Sequence, residues 1–391
     1  MALLNYLDRQ MLATMKLSMQ ADIPALVKAE NFGRLMAVFM WVYGISSPLG
    51  GIIADRVNRK WLVVGSLVVW STVTLLMGYA RDFETLYWLR AAMGVSEALY
   101  IPAGLALIVD FHPGPTRSLA VGVHMSGIYC GQALGGIGGW IAQDLSWRAA
   151  FGTCGVLGVS YAVVLILLLR EHRPSPFSTH SSAEPPLESS FHPNWVGFVL
   201  LMLCFALPSL PGWAVKNWMP TLLQDRFAFD QKTSGLLATL STSIAGFCGV
   251  LLGGRLADRR FRADERGRMR TSALGLTLLV PALLGIALAP TSLGVIACGV
   301  LYGLSFGMFD TNNMPILCQI LPPHLRATGY GILNLVGITS GAWLTPLLGK
   351  LKDEGIPLAW GFAASAVPAL VAALIMHVLR PRRTPKTFAA Q

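Results

Sequence analysis

The sequence has 391 residues, of which 54% are hydrophobic and only 13% charged, and its mean hydropathy is +0.56; soluble domains carry roughly 25% charged residues, so an ordinary soluble fold is excluded. The formal net charge of +10 would suggest nucleic acid in a soluble protein, but Lys and Arg fall in short clusters between apolar runs, a distribution that sets membrane topology instead. Cys130, Cys154, Cys204, Cys248, Cys298 and Cys318 all lie in apolar stretches without Cys-x-x-Cys or Cys/His spacing, which predicts small packing residues and neither disulfides nor metal ligands.

Apolar windows recur along the chain, most of them near the roughly 20 residues that a helix needs to cross hydrocarbon. They predict spans at residues 2–22, 33–54, 61–80, 84–110, 116–142 and 147–170, so that residues 1–170 make an N-terminal six-helix bundle. Residues 171–193, rich in Ser, Thr, Glu and Pro, read as a solvated cytoplasmic linker. Further spans at 194–224, 232–254, 270–290, 292–318, 325–349 and 356–379 place a second six-helix bundle and a short cytoplasmic tail in residues 194–391. The expected fold class is an all-α membrane protein of twelve transmembrane helices in two pseudo-symmetric six-helix bundles. The polar block Asn5-Tyr6-Leu7-Asp8-Arg9 breaks the first apolar run at once, which speaks against a cleavable signal and suggests a natural start further upstream. Positive clusters at residues 55–60, at Arg170 and Arg173, from Arg255 to Arg270 and at residues 380–383 share one side of a twelve-span count. By the positive-inside rule that side is cytoplasmic, with both termini there, in an inner (plasma) membrane.

Two internal matches add architecture to the helix count. Gly50-Gly51-Ile52-Ile53-Ala54-Asp55-Arg56 recurs as Gly253-Gly254-Arg255-Leu256-Ala257-Asp258-Arg259, and the segment 113–122, containing Arg117, resembles 322–331, containing Arg326, at a near-equal offset. A duplicated six-helix unit follows. Tandem halves with G-G-x-x-A-D-R after the second span resemble the major facilitator superfamily. That resemblance implies halves related by an axis along the membrane normal, a solute site between them near the midplane, and rocking that exposes the site to each side in turn. The glycines of the motif allow close helix approach. Gly51, Asp55 and Arg56, with Arg117, Asp258, Arg259 and Arg326, are the expected conformational latch, holding the outward-open state and breaking on inward opening; Arg59 and Lys60 serve equally well as topology signals.

Ionisable groups inside spans cost at least about 2.5 to 3.5 kcal/mol on insertion scales and are functional candidates by default. They are Asp8, Arg9 and Lys16 on the first span, Arg90 and Glu97 on the fourth, His124 on the fifth, Lys216 on the seventh and Asp310 on the tenth. Arg90 and Glu97, about two turns or roughly 10 Å apart, share one helix face. Asp8 can neutralise one arginine while Arg9 or Arg90 binds a carboxylate through its guanidinium fork, leaving a net cationic cavity that selects anions. Glu97 lies among Gly94, Val95, Ser96 and Ala98, an apolar setting suited to a carboxyl that carries a proton; the alternative is a strut to Arg9 or His124. Lys216, beside Asn217 and two tryptophans, either meets a solute carboxylate or snorkels to the periplasmic surface. Asp310, Asn312, Asn313 and Gln319 form a polar stripe that Asn334 joins, fit for solute hydroxyls or for interhelical bonds. Tyr43, Tyr100 and Tyr129 are candidate cavity aromatics, with Trp41, and His124 a candidate relay.

Asn5-Tyr6-Leu7-Asp8-Arg9 together with Arg90-Ala91-Ala92-Met93-Gly94-Val95-Ser96-Glu97 resembles the anion:cation symporter family, which includes hexuronate and galactonate transporters and sialin. The resemblance implies proton coupling at Asp8 and Glu97 and carboxylate binding or charge pairing at Arg9 and Arg90. Spinster-like lipid transporters share the first-span pattern and a similar fourth span. Gly212–Thr221 and Arg326–Asn334 resemble the organic-anion carriers. The expectation is therefore proton-coupled symport of a small organic anion such as a sugar acid or hexuronate, by a monomer in a lipid bilayer, with no cofactor and no nucleic acid and with sodium as an alternative to protons. A Spinster-like lysolipid or sphingolipid transporter and a non-transporting membrane sensor are the competing readings. No nucleophile and base pair, metal cluster or G-x-x-x-x-G-K-[ST] loop supports an enzyme or an ATP-driven pump.

Overall fold

A backbone in hydrocarbon must bond to itself, and all regular structure among the described residues is helical. The computed structural model describes residues 1–112, 117–169, 194–322 and 325–379, and at residues 51, 55, 109, 110, 117–119, 121 and 327 it describes the backbone alone. The linker 171–193, Arg170, Arg173, the tail from 380 onward and the segment 113–116 of the second repeat lie outside the described residues.

Helices α1 (Ala2–Thr14) and α2 (Lys16–Asp22) form one rod broken at Met15. Then come α3 (Ala29–Arg56), α4 (Arg59–Met77) and α5 (Phe83–Phe111). Helices α6 (Arg117–Leu134) and α7 (Gly136–Asp144) form a second broken rod, followed by α8 (Trp147–Leu168). The later residues fold as α9 (Trp195–Phe227), α10 (Gln231–Ala263) and α11 (Gly267–Leu288). Helices α12 (Ser292–Asp310) and α13 (Asn313–Ile320) form a broken rod, α14 (Arg326–Asp353) a continuous one, and α15 (Leu358–Ala364) and α16 (Ala366–Val378) the last broken one. Among the described residues ten helices or helix pairs are long and apolar enough to cross a membrane. The two rods that do not qualify, 2–22 and 117–144, are split and carry polar residues such as Asp8, Arg9, Lys16, His124 and Gln132. Helix α10 runs to Ala263, past the expected end at 254, because arginines are good helix formers and the helix continues into the aqueous zone.

Helix α3 packs on α5, α4 on α5 and α8, and α1 on α6; in the later residues α12 packs on α10 and α11, and α16 on α9 and α11. The repeated glycines are the contact points. A β-carbon on Gly50 would lie 2.5 Å from the Ala98 carbonyl oxygen of α5, and one on Gly253 would lie 2.6 Å from the Met308 Cα of α12. The same residue of each repeat thus lets its helix touch the backbone of the helix beside it.

Helices α1–α8 meet α9–α16 through α3 against α14, α7 and α6 against α10, and α1 against α9. At one end the seam is tied by helix termini. Both carboxylate oxygens of Asp353, the last residue of α14, accept from the backbone N–H groups of Ala29 and Glu30 at 2.8 Å each, where α3 begins. At the counterpart position, Gln143 near the end of α7 accepts from the Lys232 N–H of α10 and donates to Asp230, both at 2.8 Å. Gln231 accepts from the Ser18 N–H at 2.8 Å and donates to the Ser18 hydroxyl at 2.7 Å. Among the described residues, the hydrogen bonds and ion pairs that join the two sets lie at this closed end or beside the cavity. At the opposite end Ile45, Leu49, Ile52, Ile53, Val123 and Tyr330 are exposed, and the sets stand apart.

The repeated loop motif lies at this open end. The side chains of Gly51, Asp55 and Arg117 lie outside what is described. Arg56 and Arg259 are exposed. Asp258 pairs with Arg268 at 3.5 Å, and Arg326 donates to the carbonyls of Leu321 and Cys318, capping the end of α13. These described partners are local. None of them ties one set to the other, as an arrangement open at the motif end requires.

Candidate functional site

Tyr6, Arg9 and Gln10 follow the i, i+3, i+4 spacing that puts three side chains on one face of a helix, and all three face a cavity of about 320 Å³ between the two sets. Tyr43, Tyr129 and Gln132 extend this wall. Across from them stand Trp213 and Lys216 of α9, Tyr302, Phe306 and Asp310 of α12, and Tyr330 and Asn334 of α14. The cavity is thus ringed by aromatic side chains, with cations on two helices and one carboxyl on a third.

Arg9 is the hinge of the polar arrangement. Its Nε donates to Glu97 Oε2 at 2.5 Å, and its side chain is 11% exposed while that of Glu97 is 0% exposed. The guanidinium lies over the rings of Tyr6, Phe39 and Tyr43 at 4.7, 4.8 and 4.4 Å, a stack that holds its plane by cation–π attraction. Its Nη2 has no partner. Glu97 is not on the cavity wall; it sits one side chain behind it, and Arg9 separates it from the void. Apart from the Asn5 side chain nearby, no partner reaches Glu97 Oε1 among the described residues.

The Arg90 guanidinium lies 4.7 Å from the centre of the Phe39 ring, so one phenyl ring serves two arginines. Nη1 of Arg90 contacts Met93 Sδ at 3.2 Å and Nε is unpartnered. A side pocket of about 30 Å³ links Arg90 to Arg9, Lys216 and Asn217. Asp8 faces away from the cavity into α4, where Thr74 Oγ1 lies 3.5 Å from Oδ2 while Oδ1 has no partner. Asn5, fully buried beside this cluster, stands within reach of the Glu97 carboxyl.

The structure brings most of the sequence-derived candidates together. Arg9, Tyr43, Tyr129, Lys216 and Asn334 line the cavity, and Arg90 and Asn217 line its side pocket. Lys216 does not snorkel to the surface: its ammonium lies 5.2 Å from the centre of the Trp213 ring, and its backbone carbonyl accepts from Gln10 at 2.8 Å. Asn217 also donates to Thr345 at 3.0 Å. Four candidates, Tyr100, His124, Asn312 and Asn313, lie elsewhere. Tyr100 packs between Trp70 and His124, at 5.4 and 5.9 Å between ring centres, away from the cavity. Asn312 donates to its own helix at the Met308 carbonyl, and Asn313 to Asp310; both are buried. Their bonds stay within the α12–α13 break and are local, not the interhelical bonds that the alternative reading expected.

Tyr6, Gln10, Gln132, Trp213, Tyr302 and Phe306 were not singled out in the sequence. For Tyr6 and Gln10 the signal was present, since both share the Arg9 face by helical spacing. For Tyr302 and Phe306 it was not, because one aromatic stripe in an apolar helix looks like another. On the lining itself, Arg9 and Lys216, with Arg90 in the side pocket, face one carboxyl, Asp310, while Asp8 and Glu97 stand behind the wall. Among the described residues no group of three His, Cys, Asp or Glu could hold a metal, and the six cysteines are free.

The profile of the Major Facilitator Superfamily matches residues 1–346 and, in a second match, residues 263–391. A 3-(3-hydroxy-phenyl)propionate transporter of Escherichia coli is 29% identical over 342 residues, covering 86% of this chain and 81% of the relative. A D-galactonate transporter of Escherichia coli is 25% identical, covering 95% of this chain and 90% of the relative. Among solved structures, an inward-facing, occupied bacterial homolog of the human lysosomal transporter Spinster superposes with a TM-score of 0.78 at 19% identity, covering 97% of this chain and 94% of that one.

Proposed function

The chain belongs to the major facilitator superfamily and is a multi-pass membrane transporter, not an enzyme, and we propose from this premise that it carries a small organic anion together with a proton. Arg9 carries the reading, because it stands between the solute cavity and a fully buried carboxyl and can pair with only one carboxylate fully at a time. When a solute carboxylate engages Nη2 and draws the guanidinium away, Glu97 is left as a buried charge without a cation. Removing one partner of a buried pair costs about 3 to 5 kcal/mol, and a proton taken up by Glu97 removes that cost. The Arg9–Glu97 pair supports the same stoichiometry: one bound anion displaces one buried carboxylate from its cation, and one proton neutralises it. Asp8, the other buried carboxyl, is the second proton-carrying group in this reading, and Arg90 supports the solute carboxylate from the side pocket.

In the cell the open, motif-bearing end faces the cytoplasm of an inner (plasma) membrane. The positive residues Arg56, Arg59, Lys60 and those from Arg255 to Arg270 lie at that end and support this orientation. Twelve crossings then make two six-rod bundles, 1–170 and 194–391, joined by a cytoplasmic linker at 171–193, and they work as a monomer. The solute is a monocarboxylate, drawn from the sugar acids or aromatic acids that the relatives' names indicate for those proteins. A lysolipid is the second reading, favoured by the apolar rings of the wall. The cavity volume of about 320 Å³ sits at the small end of ligand pockets and suits a small acid better than a long acyl chain.

Proteoliposome counterflow with D-galactonate, a hexuronate, 3-phenylpropionate and a lysolipid, followed together with a pH-sensitive dye, tests the proposal. Acid uptake accompanied by inward proton movement is expected, with Glu97→Gln keeping exchange while losing uphill accumulation. Uptake without proton movement would remove the coupling, and movement of the lysolipid alone would establish the second reading.

A further inference from the structure

A carboxylate on the wall of an anion-binding cavity is a liability unless it reads something on the solute. Asp310 is exposed to the void, at the end of α12. Its Oδ1 accepts from Asn313 Nδ2 at 3.2 Å; among the described residues no hydrogen bond reaches Oδ2. The carboxyl is within electrostatic reach of Lys216 and of the phenols of Tyr6, Tyr129, Tyr302 and Tyr330. No ion pair joins it to Lys216 among the described residues, although both line the same cavity. The acid and the cations therefore face one another across a gap that the solute must fill.

We propose that Asp310 is a specificity-determining residue that reads a hydrogen-bond donor, a hydroxyl or an ammonium, on the end of the solute remote from its carboxylate. The proposal rests on the organic-anion reading above and deepens it. Arg9 and Lys216 take the carboxylate, the rings of Tyr129, Tyr302 and Phe306 flank the body, and Asp310 accepts from the far end. A solute without that donor leaves Asp310 facing an apolar group when the cavity closes around it in the transport cycle, with no water to repair the loss. Carriage thus favours hydroxylated or zwitterionic carboxylates over plain ones of the same size.

Counterflow with two matched pairs tests this, 3-phenylpropionate against 3-(3-hydroxyphenyl)propionate and hexanoate against 6-hydroxyhexanoate. A hydrogen bond to a charged group is worth about 1.5 to 3 kcal/mol, so the hydroxylated member should have a KM about ten- to a hundredfold lower. In Asp310→Ala that ratio should collapse to about one, with Asp310→Asn between. Where a variant no longer transports, thermal stabilisation of the purified protein by each acid reads the same ratio. A preference that survives in Asp310→Ala, or wild-type protein that moves both members of each pair alike, overturns the role of Asp310 and leaves anion transport standing. Wild-type protein that moves none of the four acids overturns both.

Discussion

Removing the Asp353 carboxylate should open the closed end. Asp353 accepts two backbone N–H groups at 2.8 Å from the start of α3, so it acts as an N-terminal cap supplied by a different helix from across the seam. A lost cap typically costs about 0.5 to 2 kcal/mol, and the lost charge at a helix N-terminus adds roughly 0.3 to 1 kcal/mol. Asp353 is exposed, and solvent screening trims the charged part, leaving about 1 to 2 kcal/mol. Because the contact exists only while this end is shut, the whole amount acts on the conformational equilibrium, a factor of about 5 to 30. Spin labels at Val27 and Ile356, 62% and 41% exposed on either side of the seam, would report the two populations by pulsed dipolar spectroscopy. Asp353→Ala should raise the long-distance population by that factor and Asp353→Asn by less. Lys350→Ala, whose partner Glu354 is local, should change nothing. Equal distance distributions in Asp353→Ala and wild type would refute the reasoning.

Further expectations follow from the site and its packing. Arg90→Ala should raise the dissociation constant for a carboxylate solute about ten- to a hundredfold, the value of a charge-assisted bond, as read by isothermal titration; an unchanged constant would make Arg90 a strut. Asp8→Asn should fold and exchange solute but accumulate less of it against a gradient, measured as the steady-state ratio under an imposed pH difference. Gly50→Ala places a methyl 2.5 Å from a carbonyl oxygen and should lose about 1 to 3 kcal/mol by overpacking. Its melting temperature in detergent should fall while that of Gly122→Ala, which meets nothing within 4 Å, should not.

The helix pattern was legible because hydropathy runs and charge punctuation are local signals, and the boundaries of α4, α5 and α8 came within a few residues. The breaks at Met15, Gly135 and Ser365 were not. Each depends on what the neighbouring helix presents, as where Thr14 donates to the Gly135 carbonyl at 3.2 Å. Arg9 and Glu97 were visible as expensive groups in apolar runs, but not as partners, since 88 residues separate them. Trans capping at the closed end left no trace either: Asp353 and Gln143 look like ordinary polar residues at helix ends until the opposing N-termini are placed against them. The second glycine motif is legible as a repeat, and Gly50 and Gly253 make matching close approaches, while the bond from Asp258 to Arg268 depends on how far α10 projects beyond its apolar part.

The first rod gives the site and the gate a common support. Gln10, Thr14 and Ser18 recur at every fourth residue, so they lie along one helix face, and each is bonded across to another helix. Gln10 holds the Lys216 carbonyl at 2.8 Å, Thr14 holds the Gly135 carbonyl, and the Ser18 N–H is held by Gln231 at 2.8 Å. Arg9 rides on the same rod one residue from Gln10. A guanidinium drawn toward a solute carboxylate pulls on a rod whose other turns fasten the closed end, and no separate relay is needed between the two. The break at Met15 falls between the site and the last of these ties. Interfaces of packed helices have discrete alternative arrangements and do not deform continuously, so displacement of this rod at Arg9 is transmitted as a choice between keeping and releasing the Ser18 and Gln231 contacts. In the proposed cycle, coupling of solute, proton and gate would rest on three bonds on one helix face and one buried ion pair beside them.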